Sequence, residues 1–337
     1  METLKSLRTK IIVSAALGLV VLLGLSLFSD ISAVGDSLGA FNWLMLPAIL
    51  GFTALNYVLR WLKWDYYLRK LKMGQGVSGW QSGVLFTAGM VMAVTPAKVG
   101  EVLKSALLKR LNGTPISKSA PIVLAERLTD GLAMLLLMAV GLTLYPPAQP
   151  LFWLLLALSA VGIAVLQNQR LARGLLGWME RRPLLSKFAK PIHAFYENTA
   201  ALMSGRLLIV STLISLVSWG GECVAMYFVF RGLGVEPSWL LLIQSTFIFA
   251  ASTLFGLVSF LPGGLGASEV SSTALIVALV GLAKGPASAA TIIIRFCTLW
   301  FGVLLGMIAL TLFTRRYGLS GEAADPAGAP ALMENEL

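Results

Sequence analysis

The sequence predicts an all-α polytopic membrane protein, and three observations predict that class. Its 337 residues are 57% hydrophobic and 12% charged, whereas soluble domains carry about 25% charged residues. Several apolar stretches approach the ~20 residues that cross a bilayer. Proline and glycine interrupt two further apolar regions, which predicts two broken hairpins beside about six full transmembrane helices.

The apolar stretches define the predicted elements in chain order. Full spans are expected at about 11–29, 43–63, 119–144, 151–167, 207–230 and 288–313. The regions near 80–110 and 240–283 are expected to be re-entrant or paired half-helix hairpins. The first span follows a basic N-terminus, but it is long for a signal peptide and lacks a convincing cleavage site, so we expect an uncleaved helix. Residues 1–316 thus form one transmembrane domain, and residues 317–337 predict a disordered tail.

The basic residues predict the orientation of these spans. Lysines and arginines cluster at the N-terminus and at 63–72, 98–118, 168–206 and 315–316. The positive-inside rule places these clusters, and therefore both termini, in the cytoplasm. The 168–206 segment is expected to include an amphipathic interfacial helix. The region between the second and third clusters must enter and leave the membrane on one side.

Two similar breaks indicate an internal repeat. Pro96 and Gly100 interrupt the first hairpin, Pro262 and Gly266 interrupt the second, and an arginine follows each break about thirty residues later. The predicted orientations of the two units are opposite, which is typical of transporters built from inverted repeats. The repeats are expected to cover about 43–144 and about 207–313.

The glycine run 262–266 has neither the Gly-Lys-Ser/Thr ending of a nucleotide-binding loop nor a strand before it. In a membrane, such glycines let unwound backbone face a cavity, and the next helix directs its positive N-terminal end at an anion. A second helix is expected to begin near Ala97, so its positive N-terminal end would also point at an anion, and Lys98 adds positive charge there. The expected hairpin-breaking residues are Pro96, Gly100, Pro262, Gly263, Gly264 and Gly266.

Three charged residues lie within one turn of the span near 119–144. A charge at membrane depth costs roughly 2.5–3.5 kcal/mol, so each is a functional candidate. Glu126 and Asp130 share a helix face, and Arg127 reaches Asp130 three residues later. The group is either a substrate site or a self-neutralising structural cluster.

Arg295 lies deeper in an apolar helix without an acidic neighbour of its own. Its expected partner is Glu269, Glu222 or a lipid phosphate. Arg60 and Lys63 are expected to extend to the cytoplasmic headgroups. The candidate substrate-binding residues are Asn56, Arg60, Lys98, Glu101, Glu126, Arg127, Asp130, Glu222, Glu269 and Arg295.

Composition argues against several other classes of site. His193 is the only histidine, which nearly excludes a histidine-based metal site or a Ser-His-Asp triad. Cys223 and Cys297 fall in apolar spans and are expected to be small buried hydrophobic residues. The net charge of +10 is explained by membrane orientation, so no nucleic acid partner is expected. No cofactor and no metal are predicted.

In combination, these residues resemble the lysylphosphatidylglycerol synthase transmembrane family, which includes the flippase half of the multiple peptide resistance factor. The resemblance spans about residues 10–316, and Lys98 stands where related sequences often have arginine. The motifs that carry it are Asn56-x-x-x-Arg60, Pro96-x-x-x-Gly100-Glu101, Glu126-Arg127-x-x-Asp130, Pro262-Gly263-Gly264-Leu265-Gly266-x-x-Glu269 and Arg295.

The resemblance implies lipid translocation, with the broken segments and charged residues lining the path of an anionic or zwitterionic headgroup. Because the family has bacterial and archaeal members, it also implies the cytoplasmic membrane of a bacterial or archaeal cell as the location. The chain shows no aminoacyl-transferase domain, so lysyl transfer is not expected from it. Two alternatives stay open: a membrane-embedded glycosyl- or headgroup-transferase that uses Glu126 and Asp130, and an accessory subunit of a lipid or envelope synthesis complex. A lipid-synthesis enzyme and a second copy of the chain are possible protein partners.

Overall fold

The computed structural model describes residues 31–95, 100–168 and 196–318, and the regular structure in these ranges is helical. This confirms the all-α class. The predicted span at 11–29, the C-terminal tail and most of the predicted interfacial helix lie outside the described residues. The helices are α1 Ile31–Ala40, α2 Leu46–Lys70, α3 Gly79–Gly89, α4 Leu103–Asn112, α5 Ile116–Val140, α6 Gln149–Gln167, α7 Gly205–Gly232, α8 Trp239–Val258, α9 Ala267–Val280, α10 Lys284–Arg295 and α11 Phe301–Tyr317.

Within the described ranges, six helical segments are long and apolar enough to cross a membrane, which makes the chain a multi-pass membrane protein. Helix α5, which covers the span predicted at 119–144, is not among them. Its 25 residues suffice in length, but Glu126, Arg127 and Asp130 interrupt its apolar sequence. The six segments are Trp43–Lys70, Pro146–Gln167, Gly205–Gly232, Trp239–Val258, Pro262–Val280 and Lys284–Tyr317.

The two broken hairpins differ in length. In the first, α3 continues as a 3₁₀ turn to Val94, and α4 has 10 residues, or about 15 Å of helix. In the second, both arms belong to the segments long enough to cross. Both hairpins begin at a serine N-cap, because Ser78 accepts from the N–H of Gln81 and Ser238 accepts from the N–H of Leu241.

The halves of the chain pack against each other in a reciprocal way. Helices α2 and α7 form the most extensive pair, α3 packs on α11, and α8 packs on α5. The first arm of each hairpin therefore contacts the last helix of the other half. The 3₁₀ turn Met90–Val94 touches the 3₁₀ turn Pro262–Gly264, so the two bends meet. The inverted orientation of the halves stays a prediction.

Candidate functional site

The second bend is unwound at its glycines. Gly263, Gly264 and Gly266 have φ values of 61°, 68° and 88°, a region that other L-residues rarely adopt. A Cβ on Gly263 would lie 3.3 Å from Cα of Val94 in the first bend. The glycines therefore allow both the unwinding and the close contact between the bends.

The first bend is closed by a hydrogen bond. The N–H of Gly100 donates to Oγ1 of Thr95 at 2.9 Å. A Cβ on Gly100 would lie 2.7 Å from that same oxygen, so a larger residue at this position would displace the side chain of Thr95. Pro96 and Lys98 lie outside the described residues.

Arg127 and Arg295, one from each half, line a single cavity of about 90 Å³, here called the bend cavity. Asp130 and the glycines of the second bend, Gly263 and Gly264, also line it. The cavity therefore brings both predicted arginines to the place where the chain is broken.

A second cavity of about 80 Å³, here called the acidic cavity, lies beside the first. Asn56, Arg60, Glu101 and Glu222 line it, and Arg295 belongs to the walls of both cavities. Seven of the predicted binding residues thus line one or both cavities. Of the rest, Glu126 and Glu269 line neither, and Lys98 is not described.

Seven charged residues of the first half form one buried network, called the first-half ion network: Arg60, Lys63, Glu101, Lys104, Glu126, Arg127 and Asp130. Glu101 lies at its centre, 3.2 Å from Arg127, 3.5 Å from Lys104 and 3.8 Å from Arg60. Arg127 also lies 3.2 Å from Asp130, the i,i+3 contact that the sequence predicted.

Two short ion pairs complete this network. Nζ of Lys63 donates to Oδ1 of Asp130 at 2.6 Å, and Nζ of Lys104 donates to Oε2 of Glu126 at 2.6 Å. Ser215 of α7 donates to the same oxygen of Asp130 at 2.9 Å. Because Glu126 is held by Lys104 inside the protein, it belongs to the support of the site and not to the cavity wall.

The second half carries a smaller arrangement. Nε of Arg295 donates to Oε1 of Glu269 at 2.6 Å, and its Nη2 donates to the carbonyl of Gly263 at 2.9 Å. The other oxygen of Glu269 accepts the N–H of Gly266 at 2.7 Å. Of the three partners expected for Arg295, the structure places Glu269 against it. Glu222 instead accepts a hydrogen bond from Thr53 at 3.2 Å.

The spacing of these residues repeats between the halves. Arg127 follows Glu101 by 26 residues, and Arg295 follows Glu269 by the same number. In both cases the later arginine pairs with the earlier glutamate. This Glu-x25-Arg spacing is a signal that a comparison of the two halves could have found, and it supports the predicted repeat.

The expectation that Arg60 and Lys63 extend to the headgroups is wrong. Lys63 is 0% exposed and Arg60 is buried, with its guanidinium 5.4 Å from the ring centre of Trp219. Thr53, Asn56, Arg60, Lys63 and Tyr67 recur at a spacing of three or four and are buried on one face of α2. Asn56 donates across that face to the carbonyl of Ser218 in α7, so it bonds another helix.

Sequence reasoning missed two further contributors. Lys104 is buried between two glutamates, and Trp219 lines both cavities. With Lys104 and Lys63 included, five buried acids stand beside five bases among the described residues of the site, and the formal charge of these ten side chains is zero. The acids are Glu101, Glu126, Asp130, Glu222 and Glu269, and the bases are Arg60, Lys63, Lys104, Arg127 and Arg295.

Some buried polar atoms of the site lack a hydrogen-bond partner within the described chain: Oδ1 of Asn56, Nε of Arg60 and Nε of Arg127. Buried polar atoms are normally paired, so these three have capacity for water or a ligand. No group of three or more His, Cys, Asp or Glu side chains in the described ranges could hold a metal ion. The free cysteines Cys223 and Cys297 are buried, as predicted.

Comparison with known proteins identifies relatives over most of the chain. Residues 12–306 match the lysylphosphatidylglycerol synthase TM region. A UPF0104 membrane protein of Methanothermobacter thermautotrophicus is 27% identical over 87% of this chain and 90% of its own length. The glycosyltransferase AglD of Haloferax volcanii is 21% identical over 85% of this chain and 51% of its own length. No solved structure matches the chain.

Proposed function

The chain belongs to the lysylphosphatidylglycerol synthase transmembrane family, and from that premise we propose that it is a lipid flippase. It would move a phospholipid or a lipid-linked headgroup between the leaflets of the membrane. The observation that carries this proposal is the bend cavity, where Arg127 and Arg295 from opposite halves line one hollow at the meeting point of two helix breaks.

The residues of the cavities fit a lipid headgroup. A guanidinium binds a phosphate through two parallel hydrogen bonds, and Arg127 and Arg295 both face the bend cavity. In the absence of lipid, each is held by a glutamate. Binding of a phosphate would exchange one ion pair for another, which keeps the arginines compensated in a site where an unpaired charge is costly.

The acids favour a headgroup that also carries a positive charge. Glu101 and Glu222 line the acidic cavity next to Arg295. Because the formal charge of the ten described side chains is zero, a bare anion would leave them with excess negative charge. A zwitterionic or amine-bearing headgroup, with its phosphate at the arginines and its amine toward the acidic cavity, avoids that excess.

The test is translocation of a fluorescent phospholipid in proteoliposomes, measured by a quencher that reaches only the outer leaflet. Arg295→Gln alone would leave Glu269 uncompensated, so the informative variant is the double Glu269→Gln/Arg295→Gln, which removes both charges. We expect its translocation rate to fall at least tenfold while its thermal unfolding stays cooperative.

The matched control is Arg231→Gln, at the end of α7, where the guanidinium donates to the carbonyl of Val235 outside both cavities. It should translocate lipid at the wild-type rate. An unchanged translocation rate in the double variant, or equal losses in the double variant and the control, would show that Glu269 and Arg295 do not form the translocation site.

A transferase is the second candidate, and the similarity to the glycosyltransferase AglD favours it. Its general acid or base would be a cavity carboxylate. Asp130 lines the bend cavity, whereas Glu126 is paired with Lys104 and faces neither cavity. Acid–base catalysis by Glu126 and Asp130 together is therefore less well supported than binding of a headgroup. Product formation from a labelled sugar or headgroup donor by the purified protein, lost in Lys63→Met/Asp130→Asn, which removes both charges of the buried pair, would favour the transferase.

A further inference from the structure

An apolar groove runs along the outside of the helices next to the acidic cavity. It has a volume of about 510 Å³ and lies between α2, α3 and α11; small-molecule sites commonly measure ~300–1,000 Å³. Ala54 and Trp61 of α2, Trp80 of α3 and Ile308 of α11 are among its lining residues. We call it the membrane groove, because its walls belong to apolar helices.

One end of the membrane groove is basic. Trp80, Val84 and Leu312 are shared with an adjoining hollow of about 380 Å³, whose charged lining residues are Arg315 and Arg316. Both arginines are exposed at the end of α11. The groove and its mouth thus form an elongated site with an apolar body and a cationic end.

The other end of the groove reaches the acidic cavity. Tyr57 and Met90 line both spaces. The hydroxyl of Tyr57 donates to the carbonyl of Thr298, which lies in the π turn Phe296–Trp300. A Cβ on Gly302 would be 2.7 Å from this hydroxyl, so Tyr57 fills the space between α2 and α11.

We propose that the membrane groove is a docking site for one anionic membrane phospholipid, with an acyl chain along the groove and its phosphate at Arg315 and Arg316. Charge complementarity at the mouth selects an anionic lipid, because such a lipid has no cationic group of its own to offset the phosphate that lies beside Arg315 and Arg316. The apolar walls of the groove suit an acyl chain. Tyr57 separates the acyl-chain end of the groove from the acidic cavity, so the docked headgroup stays outside that cavity and the docking site does not rest on the proposed function.

The docking site is tested by photolabelling in nanodiscs of phosphatidylcholine that contain a small fraction of phosphatidylglycerol with a diazirine in one acyl chain. We expect cross-links to concentrate on the α2, α3 and α11 peptides that carry Trp61, Trp80 and Ile308. Ala54→Phe fills the exposed wall of the groove and should lower this labelling at least fivefold. Leu55→Phe adds an aromatic ring on the neighbouring exposed position outside the groove and should leave it unchanged.

The phosphate end is tested by Arg315→Gln/Arg316→Gln, with Lys70→Gln as the control at another exposed helix end. An arginine near an anionic surface changes binding roughly fivefold, so the double variant should lower groove labelling by phosphatidylglycerol by more than tenfold. Labelling by the same diazirine chain on phosphatidylcholine should change less than twofold. Equal effects on the two lipids would overturn the selection of an anionic lipid by these arginines.

The docking site would be overturned if exposed positions of α6, such as Val161, are labelled as strongly as the groove and if Ala54→Phe does not change the labelling. That result would show ordinary annular lipid. Groove labelling in a protein that does not translocate lipid would retain the docking site and refute the proposed flippase.

Discussion

The two arginines of the bend cavity are held by very different surroundings. Arg127 is part of the first-half ion network, in which Glu101 lies within 4 Å of three bases. Arg295 has one carboxylate, Glu269, and a backbone carbonyl. Both arginines pair with a glutamate 26 residues earlier, so the shared Glu–Arg pair is the common feature, and the Lys63–Asp130 and Lys104–Glu126 pairs belong to the first half.

This difference indicates a division of roles. In the first half, Lys63 and Lys104 hold Asp130 and Glu126 inside the protein, so the position of Arg127 is determined by several ion pairs. In the second half, Glu269 holds both the N–H of Gly266 and the guanidinium of Arg295. The second bend and its arginine are therefore coupled through one side chain, and we expect movement at this bend to reposition the arginine.

The largest expected effect is on the first-half ion network. Asp130→Asn removes the charge that compensates Lys63, which is 0% exposed and donates to Asp130 at 2.6 Å. Breaking a buried pair by removing one partner costs about 3–5 kcal/mol. Thermal unfolding in detergent should therefore show a large loss of stability.

The matched variant Lys63→Met/Asp130→Asn removes both charges and should recover much of that stability, because no uncompensated charge remains. If the single and double variants are equally unstable, Lys63 is not the group that Asp130 compensates, and the division between the halves loses its support.

The next effect is expected in the second half. Glu269→Ala removes the acceptor of Gly266 and of Arg295 together, and hydrogen bonds to charged groups contribute about 1.5–3 kcal/mol. We expect a loss of about 2–3 kcal/mol in unfolding free energy together with loss of translocation. Glu236→Ala, at an exposed position between α7 and α8, is the control and should change neither quantity. If the Glu269→Ala protein translocates lipid at the wild-type rate, the pairing of Arg295 with Glu269 is not required for translocation.

The breaks were the part of the site that the sequence could predict. The proline and the glycines at 262–266 are poor helix formers, so they predicted a break in the apolar helix. The structure confirms an unwound turn there. The Arg127–Asp130 contact followed from helical spacing alone. In contrast, the partner of Arg295 stayed open among three candidates, because helix periodicity says nothing about which residue of another helix lies opposite.

The same limit explains why Lys63 was assigned to the membrane surface. A lysine near the end of an apolar helix has a long side chain that normally extends to water, and only the neighbouring α5 and α7 provide Asp130 and Ser215 to bury it. Lys104 was missed because it lies in α4, whereas its partner Glu126 lies in α5, and no local sequence pattern joins the two residues. Tertiary contacts, not local pattern, decide these positions.

A smaller effect separates the two bends. Gly264→Ala places a side chain at φ 68°, with its Cβ 3.0 Å from Cα of Gly256; a left-handed conformation costs a non-glycine residue about 1–2 kcal/mol. Gly100→Ala meets only side-chain atoms of Thr95 and Met92, which are able to move. We expect Gly264→Ala to lower the unfolding free energy more than Gly100→Ala. The reverse order would mean that the first bend is the more rigid of the two.

The smallest effect tests whether burial, and not the mere presence of an ion pair, gives the first half its stability. Arg69 donates to Asp65 at 2.6 Å, as short a contact as the Lys63–Asp130 pair, but its side chain is 61% exposed. Exposed pairs contribute about 0–1 kcal/mol because water screens both charges. Arg69→Ala should therefore change the unfolding free energy by less than about 0.5 kcal/mol and leave lipid translocation unchanged. A loss comparable to that of Asp130→Asn would show that the short distance within an ion pair, and not its burial, determines how much stability the pair contributes. The contrast between the two halves would then rest on ion-pair geometry and not on burial.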